Sequence, residues 1–122
     1  MVKILVVDDE IEICDFVKNF FKEREFEVFT AYNGEEALSI IEMQAPQIIL
    51  LDVKMPVMDG IQTLKELGKR EVSGKIIMVT AVEEQDIMDE ANQYGATRYI
   101  TKPLSLLQLE EAVFDLAGQV SA

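Results

Sequence analysis

Five short apolar stretches recur along the chain, separated by longer segments in which apolar residues return every three or four positions. The short stretches contain many β-branched residues and lack clean polar–apolar alternation, which is typical of strands buried on both faces of a sheet. The longer segments have the spacing of helices with one apolar face, for example Ile13, Phe16, Val17, Phe20 and Phe21. The predicted strands cover residues 4–7, 28–31, 48–51, 76–79 and 97–101.

Strands that alternate with helices predict an α/β fold with a parallel sheet, because parallel strands need crossover connections and helices usually provide them. Turn and stop residues support the same division of the chain. Asn33-Gly34 follows the second strand, Pro46 ends the second helix, Gly74 precedes the fourth strand and Gly95 closes the fourth helix.

Polar side chains follow four of the predicted strands at their carboxyl ends. They are Asp8, Asp9 and Glu10 after the first strand, Asp52 after the third, Thr80 after the fourth and Lys102 after the fifth. Ligands of open parallel sheets bind at this edge of the sheet. The pattern therefore predicts a site that contains several carboxylates, a hydroxyl group and an ammonium group.

Clustered carboxylates repel one another, so such a site is stable mainly when a divalent cation neutralises it. Mg²⁺ is the natural occupant, because it prefers hard oxygen ligands and often links carboxylates to a phosphoryl group. Asp52 can then attack phosphorus as a nucleophile and form an aspartyl phosphate. Lys102 would offset charge on the phosphoryl oxygens, and Thr80 would hydrogen-bond a remaining oxygen.

The acidic candidates also have ordinary structural interpretations. Asp9 or Glu10 can cap the first helix, and Asp59, which precedes a glycine, is more typical of a turn than of a metal ligand. The hydroxyl and ammonium candidates, taken singly, would be a helix cap and a solvated surface charge. The joint placement of Asp8 and Asp52 with Lys102 favours the functional interpretation.

Composition narrows the range of partners. The 23 acidic and 11 basic residues give a formal charge of −12, which repels nucleic acid and anionic membranes and predicts that the chain binds neither directly. The chain has no histidine, so any phosphohistidine must come from a partner. The one cysteine, Cys14, lies in a helical pattern that predicts core packing and no chemical role.

A length of 122 residues predicts a single domain, residues 1–122, with a fraying tail at residues 118–122. The longest apolar runs are too short to span a bilayer, and the N-terminus lacks the apolar segment of a signal peptide. We therefore expect a soluble, cytoplasmic protein.

Four segments, ILVVDDE, IILLDVKMPVMDG, IIMVTA and YITKP, resemble the signatures of response-regulator receiver domains in this order and spacing. The resemblance covers essentially the whole chain. It implies a doubly wound five-stranded parallel sheet with strand order 2-1-3-4-5 and flavodoxin-like topology. It also implies a two-component signalling domain, not an enzyme, which receives a phosphoryl group from a sensor histidine kinase or a histidine phosphotransfer protein and switches its contacts with a downstream protein target.

The resemblance assigns a role to each residue of the predicted site. Asp52 is the phosphoacceptor, Asp8 and Asp9 organise Mg²⁺, the backbone carbonyl of Lys54 is a further metal ligand, and Lys102 contacts the phosphoryl group. No position in the four motifs departs from the family pattern.

The resemblance also implies a pair of switch residues and two residues at the rim of the site, beside the entry path of water. Thr80 and Tyr99 match the family's switch pair, although Tyr99 also fits an ordinary half-buried strand aromatic. The fourth helix, fifth strand and fifth helix form the family's usual output surface. Lys54 and Val82 are expected to border the path of water to the phosphoryl group, and the bond before Pro103 is expected to be cis.

Three alternatives remain open. An Mg²⁺-dependent phosphohydrolase with an aspartate nucleophile normally has a second aspartate two residues after the first, where this chain has Lys54. A flavin-binding module would need a Gly- and hydroxyl-rich loop after the first strand, where this chain has Asp8, Asp9 and Glu10. The chain is also consistent with a piece of a larger regulator that carries a DNA-binding or enzymatic output domain.

Overall fold

The structure is a computed structural model that describes residues 1–55, 57–70, 72, 74–80, 85–102 and 104–120. Val82 and Pro103, for which the sequence predicts a rim position and a cis bond, lie outside the described residues. The elements in chain order are β1 (Lys3–Val7), α1 (Ile11–Lys22), β2 (Glu27–Ala31), α2 (Gly34–Gln44), β3 (Ile48–Asp52), α3 (Gly60–Lys69), β4 (Lys75–Thr80), α4 (Gln85–Gln93), β5 (Arg98–Thr101) and α5 (Leu106–Val120).

The five strands form one parallel sheet in the order β2-β1-β3-β4-β5. This confirms the predicted α/β class and the flavodoxin-like strand order. Val7 pairs with Leu51, and Asp52 pairs with Val79. Because the paired strands end at nearly the same level, the residues that follow them meet at one edge of the sheet.

Side chains alternate between the two faces of each strand, and each face packs against its own helices. In β1, for example, Ile4 and Val6 face α1 and α5, whereas Leu5 and Val7 face α2, α3 and α4. Both faces are therefore buried, which is why the strands form continuous apolar runs in the sequence.

The helices differ from the sequence prediction in two places. Phe16 belongs to the apolar pattern of α1 but is exposed, while Cys14 and Val17 of the same helix are buried. The predicted tail at residues 118–122 is wrong for its first three residues, because α5 continues to Val120. The apolar face of α5 contacts the core as far as Ala117, and this packing outweighs the weak helix propensity of Gly118.

None of the helices in the described part of the chain combines the length and the apolar character that crossing a membrane requires.

Candidate functional site

Three carboxylates converge at the carboxyl edge of the sheet. Asp8 follows β1 and Asp52 is the last residue of β3, and since these strands are neighbours the two side chains lie close together. One carboxylate oxygen from each of Asp8, Asp9 and Asp52 lies within 4.8 Å of the other two. Asp8 and Asp52 are 3% and 4% exposed, whereas Asp9 is exposed to solvent. The structure thus brings together the three predicted acidic residues.

The backbone fixes the first of these carboxylates. The Asp8 amide donates a hydrogen bond to the Ala31 carbonyl at the end of β2, and the Glu10 amide donates to Asp8 Oδ1 at 2.9 Å. Glu10 is the N-cap residue of α1, but its side chain makes no capping hydrogen bond to the residues that the structure describes. The Asp8 carboxylate is therefore oriented by the Glu10 amide, and the Asp8 backbone is tied to the end of β2.

Lys102, which follows the edge strand β5, reaches the carboxylates at the same carboxyl end of the sheet. Its ammonium donates a hydrogen bond to Asp52 Oδ2 at 3.2 Å and lies 3.7 Å from Asp8 Oδ2. The Lys102 amide donates to the Thr80 carbonyl, which fixes the start of this side chain beside the end of β4. The predicted meeting of Lys102 with Asp8 and Asp52 is therefore present in the structure.

The carboxylates are electrostatically unfavourable as they stand. Burial, with a further contribution from the charge of Asp8, raises the pKa of Asp52 to about 6, although Lys102 opposes the change. Burial also raises the pKa of Asp8. Burial lowers the pKa of Lys102, but the charges of Asp52 and Asp8 outweigh it, so the net change is upward. One ammonium does not compensate for the carboxylates around it.

The donor set fits a small, hard divalent cation. When ionised, the three carboxylates and Lys102 together carry two negative charges, which one divalent ion would balance. All the side-chain donors are oxygens, as Mg²⁺ prefers. Lys54, whose carbonyl is the predicted fourth protein ligand, lies in the loop that follows Asp52 and has an exposed side chain.

Asp59 lies outside this cluster. It is the N-cap residue of α3, where its carboxylate accepts a hydrogen bond from the Gln62 amide at 2.8 Å while the Gln62 side chain accepts one from the Asp59 amide. This reciprocal arrangement is a capping box. Asp59 therefore caps a helix, whereas the sequence prediction, which also favoured a structural role, placed it in a turn.

The two predicted switch residues lie on neighbouring strands and differ in burial. Thr80 is buried as the last residue of β4, one position after the partner of Asp52. Tyr99 is half-buried in β5 on the face covered by α4, and its hydroxyl donates to the Met88 carbonyl of α4 at 3.2 Å. Burial, followed by the charge of Asp89, raises the pKa of Tyr99.

Cys14 is buried in α1, as the sequence predicts. Its thiol donates a hydrogen bond to the Asp8 carbonyl at 3.3 Å, and burial raises its pKa to about 12. A thiol with this pKa is a poor nucleophile at neutral pH. The sequence gives no signal for this contact between Cys14 and the backbone of Asp8.

The sequence interpretation missed three residues that shape the loop after Asp52, namely Gly34, Gly60 and Thr63. Both glycines are visible in the sequence as Asn-Gly and Asp-Gly turn signals, but their close contacts with other backbone segments are not. Thr63 is a fully buried polar residue on the face of α3 that also buries Leu64 and Leu67.

Comparison with known proteins agrees with this geometry. Residues 4–114 match the response regulator receiver domain family. The sporulation initiation phosphotransferase F of Bacillus subtilis is 35% identical over 111 residues, which cover 91% of this chain and 90% of that protein. The chemotaxis protein CheY of Listeria monocytogenes is 36% identical over 114 residues, which cover 93% of this chain and 96% of that protein.

A solved structure gives the same result. The response regulator TrrA of Thermotoga maritima, crystallised in complex with Mg²⁺ and BeF, is 34% identical, and the alignment covers 95% of this chain and 99% of that one with a TM-score of 0.84. These similarities do not favour the phosphohydrolase alternative. The chain belongs to the response regulator receiver domain family, whose members are the phosphoacceptor domains of two-component signalling.

Proposed function

We propose that Asp52 is the residue that accepts the phosphoryl group. The observation that carries this assignment is the position of its carboxylate, at the end of β3, beside Asp8 and 3.2 Å from the Lys102 ammonium. Receiver domains take phosphoryl groups from histidine kinases or histidine phosphotransfer proteins. Because this chain has no histidine, we propose that its donor is the phosphohistidine of such a partner.

The transfer is a displacement at phosphorus. A carboxylate oxygen of Asp52 forms a bond to phosphorus, the bond from phosphorus to the imidazole nitrogen of the partner breaks, and the imidazole leaves with the electron pair and takes up a proton. The nucleophile must be ionised. With a pKa of about 6, Asp52 is largely ionised at neutral pH, and Lys102 favours that form.

We assign Asp8, Asp9, Asp52 and the Lys54 carbonyl as the protein ligands of Mg²⁺. When bound, the cation would offset negative charge on the carboxylates and on the phosphoryl oxygens. Lys102 supplies a further positive charge, and its contacts with Asp52 and Asp8 hold the ammonium beside the carboxylate that would receive the phosphoryl group.

Thr80 and Tyr99 are proposed to pass the signal to the surface formed by α4, β5 and α5. The hydrogen bond from Tyr99 to Met88 joins β5 to α4, so a change in the packing of Tyr99 alters this surface. We propose a downstream protein as its target. The formal charge of −12 disfavours direct binding to nucleic acid or anionic membranes. The proposed setting is the cytoplasm, with residues 1–122 acting as one signalling domain and not as an enzyme.

The test is phosphorylation by acetyl phosphate, followed by intact-mass measurement. The wild type should gain one phosphoryl group only when Mg²⁺ is present, and Asp52→Asn should gain none. Asp59→Asn is the matched control, because it removes one carboxylate outside the cluster and asparagine caps a helix as well as aspartate does. A stoichiometric adduct on Asp52→Asn would refute the assignment.

A further inference from the structure

The loop after Asp52, which the structure describes at residues 53–55 and 57–59, accepts a hydrogen bond from a glycine amide at each end. The Gly60 amide donates a hydrogen bond to the Val53 carbonyl at 2.8 Å, and the Gly34 amide donates to the Met58 carbonyl at 3.1 Å. The Val53 amide in turn donates to the Val79 carbonyl of β4. Gly60 begins α3 and Gly34 begins α2, so these two helices determine the course of the loop.

Both glycines are required for space. A Cβ atom on Gly60 would lie 2.1 Å from the Asp52 carbonyl oxygen. One on Gly34 would lie 2.1 Å from Thr63 Oγ1 and 2.8 Å from the Met58 carbonyl oxygen. Since two of these three obstacles are backbone atoms of the loop or of the residue before it, any side chain here must displace the backbone that carries the site.

Thr63 occupies the space opposite Gly34. It is fully buried, and its hydroxyl donates to the Asp59 carbonyl at 2.7 Å. The threonine side chain therefore fills the gap between the first turns of α2 and α3 and fixes the end of the loop. A buried hydroxyl lowers the stability of the fold unless it is hydrogen-bonded. Thr63 therefore stabilises the protein only while the Asp59 carbonyl stays within reach of its hydroxyl.

The loop also contains a strained residue. Val57 has φ +68°, in the left-handed region that β-branched residues strongly disfavour, and its side chain is 73% exposed. Burial of Val57 does not compensate for the strain. The conformation must therefore be imposed by neighbouring contacts, which include the hydrogen bonds from Gly34, Gly60 and Thr63.

We propose that Gly34 and Thr63 are positioning residues for Mg²⁺, acting through the loop after Asp52 to hold the Lys54 carbonyl where the cation binds. This inference rests on the proposed function, because the carbonyl is a ligand only if the acidic cluster holds the cation. Groups that orient metal ligands without touching the metal typically change metal affinity by about 10- to 100-fold when they are removed.

The experiment is a calorimetric titration of Mg²⁺ into the phosphate-free protein. Gly34→Ala should weaken binding at least about tenfold, and Thr63→Val should weaken it several-fold because it removes the hydroxyl and keeps the shape. Thr63→Ser, which keeps the hydroxyl, should bind within about twofold of the wild type. Gly68→Ala is the matched glycine control, since its Cβ would meet no described atom within 4 Å, and its affinity should not change.

Two further measurements separate positioning from stability. Urea unfolding in EDTA gives the folded fraction of each variant, and Ile41→Val is a control that loosens the buried face of α2 and leaves Gly34 and Thr63 unchanged. Amide hydrogen exchange at Gly34 and Gly60 reports the loop in the metal-free protein, where protection should fall in Thr63→Val and not in Ile41→Val. If Gly34→Ala does not fold, Thr63→Val and Thr63→Ser decide the question.

Wild-type affinity in both Gly34→Ala and Thr63→Val, together with weak binding by Asp8→Asn, would overturn the inference and leave the proposed function intact. If the wild type itself bound no Mg²⁺ and Asp52 were not labelled, the inference and the proposed function would both be wrong.

Discussion

The Lys102 ammonium lies 3.2 Å from Asp52 Oδ2 although 50 positions of sequence separate the two residues and β4 lies between their strands. The same ammonium lies 3.7 Å from Asp8. Lys102 therefore neutralises the same carboxylates that a metal ion would neutralise, so its charge should affect metal binding and phosphoryl transfer in opposite directions.

Lys102→Met should bind Mg²⁺ more tightly than the wild type, because a competing cation has been removed from the carboxylates. Phosphorylation by acetyl phosphate at saturating Mg²⁺ should nevertheless slow by about 100- to 1000-fold, because the phosphoryl oxygens lose a positive charge. Calorimetry and a time course of intact mass measure the two effects. Lys69→Met, which removes an exposed lysine on α3, should change neither, and weaker Mg²⁺ binding by Lys102→Met would contradict this prediction.

Asp52→Asn should stabilise the metal-free protein at neutral pH. The folded-state pKa of Asp52, about 6, exceeds the ordinary value of 3.8, so the folded protein binds more protons and its stability falls as pH rises from about 4 to 6. Asparagine removes this dependence. At pH 7.5 in EDTA the gain should be on the order of 2–3 kcal/mol, since each pKa unit corresponds to about 1.4 kcal/mol.

Urea unfolding at several pH values tests this expectation. The difference between Asp52→Asn and the wild type should shrink towards pH 4, where Asp52 is protonated in the folded protein. Asp59→Asn, at a helix cap, should show no such gain. A variant that is less stable than the wild type at pH 7.5 without metal would show that Asp52 is not an unfavourable buried charge.

Val57→Gly should raise the free energy of unfolding by about 1 kcal/mol. Glycine removes a backbone strain of roughly 1–3 kcal/mol, and its greater freedom in the unfolded chain offsets about 0.5–1 kcal/mol of that gain. Val57 is largely exposed, so little apolar burial is lost. Val57→Ala keeps the positive φ with a Cβ and should gain much less. Equal stability of the two variants would mean that the backbone at this position is not strained.

The aspartyl phosphate of the wild type should be long-lived for this family, because hydrolysis needs a water held in line with the bond between Asp52 and phosphorus. Lys54, with its exposed side chain, and Val82, outside the described residues, are expected at the rim of that path. The double variant Lys54→Asn, Val82→Glu supplies polar groups that orient water and should lose its phosphoryl group faster. An unchanged decay rate by intact mass would refute this role for the two positions.

The sequence predicted most of the fold because the strands are buried on both faces. In a chain where strands and helices alternate, a short apolar run such as the one before Asp52 fits a central strand much better than a surface segment. Asp8, Asp52 and Lys102 were predictable for the same reason, since a residue at the end of a parallel strand has a known place in the fold.

What the sequence did not predict depends on distances between segments that are remote in the chain. The gap that Thr63 fills exists only once α2 and α3 have packed, and the φ of Val57 follows from hydrogen bonds at both ends of its loop. Gly118 was predicted to begin a fraying tail at the C-terminus, yet α5 continues past it to Val120. Tertiary packing of this kind cannot be predicted from the local sequence pattern.

The order of the strands places the negative and the positive groups of the site on strands that differ in local stability. Asp8 and Asp52 follow or end β1 and β3, which have a strand on each side, whereas Lys102 follows β5, the four-residue strand at the edge of the sheet. Edge elements open by local fluctuations more readily than interior ones do. Each opening of β5 would withdraw the ammonium while the carboxylates stay buried, so a bound cation that replaces this charge would let β5 and α5 fluctuate without exposing the interior strands to unbalanced repulsion.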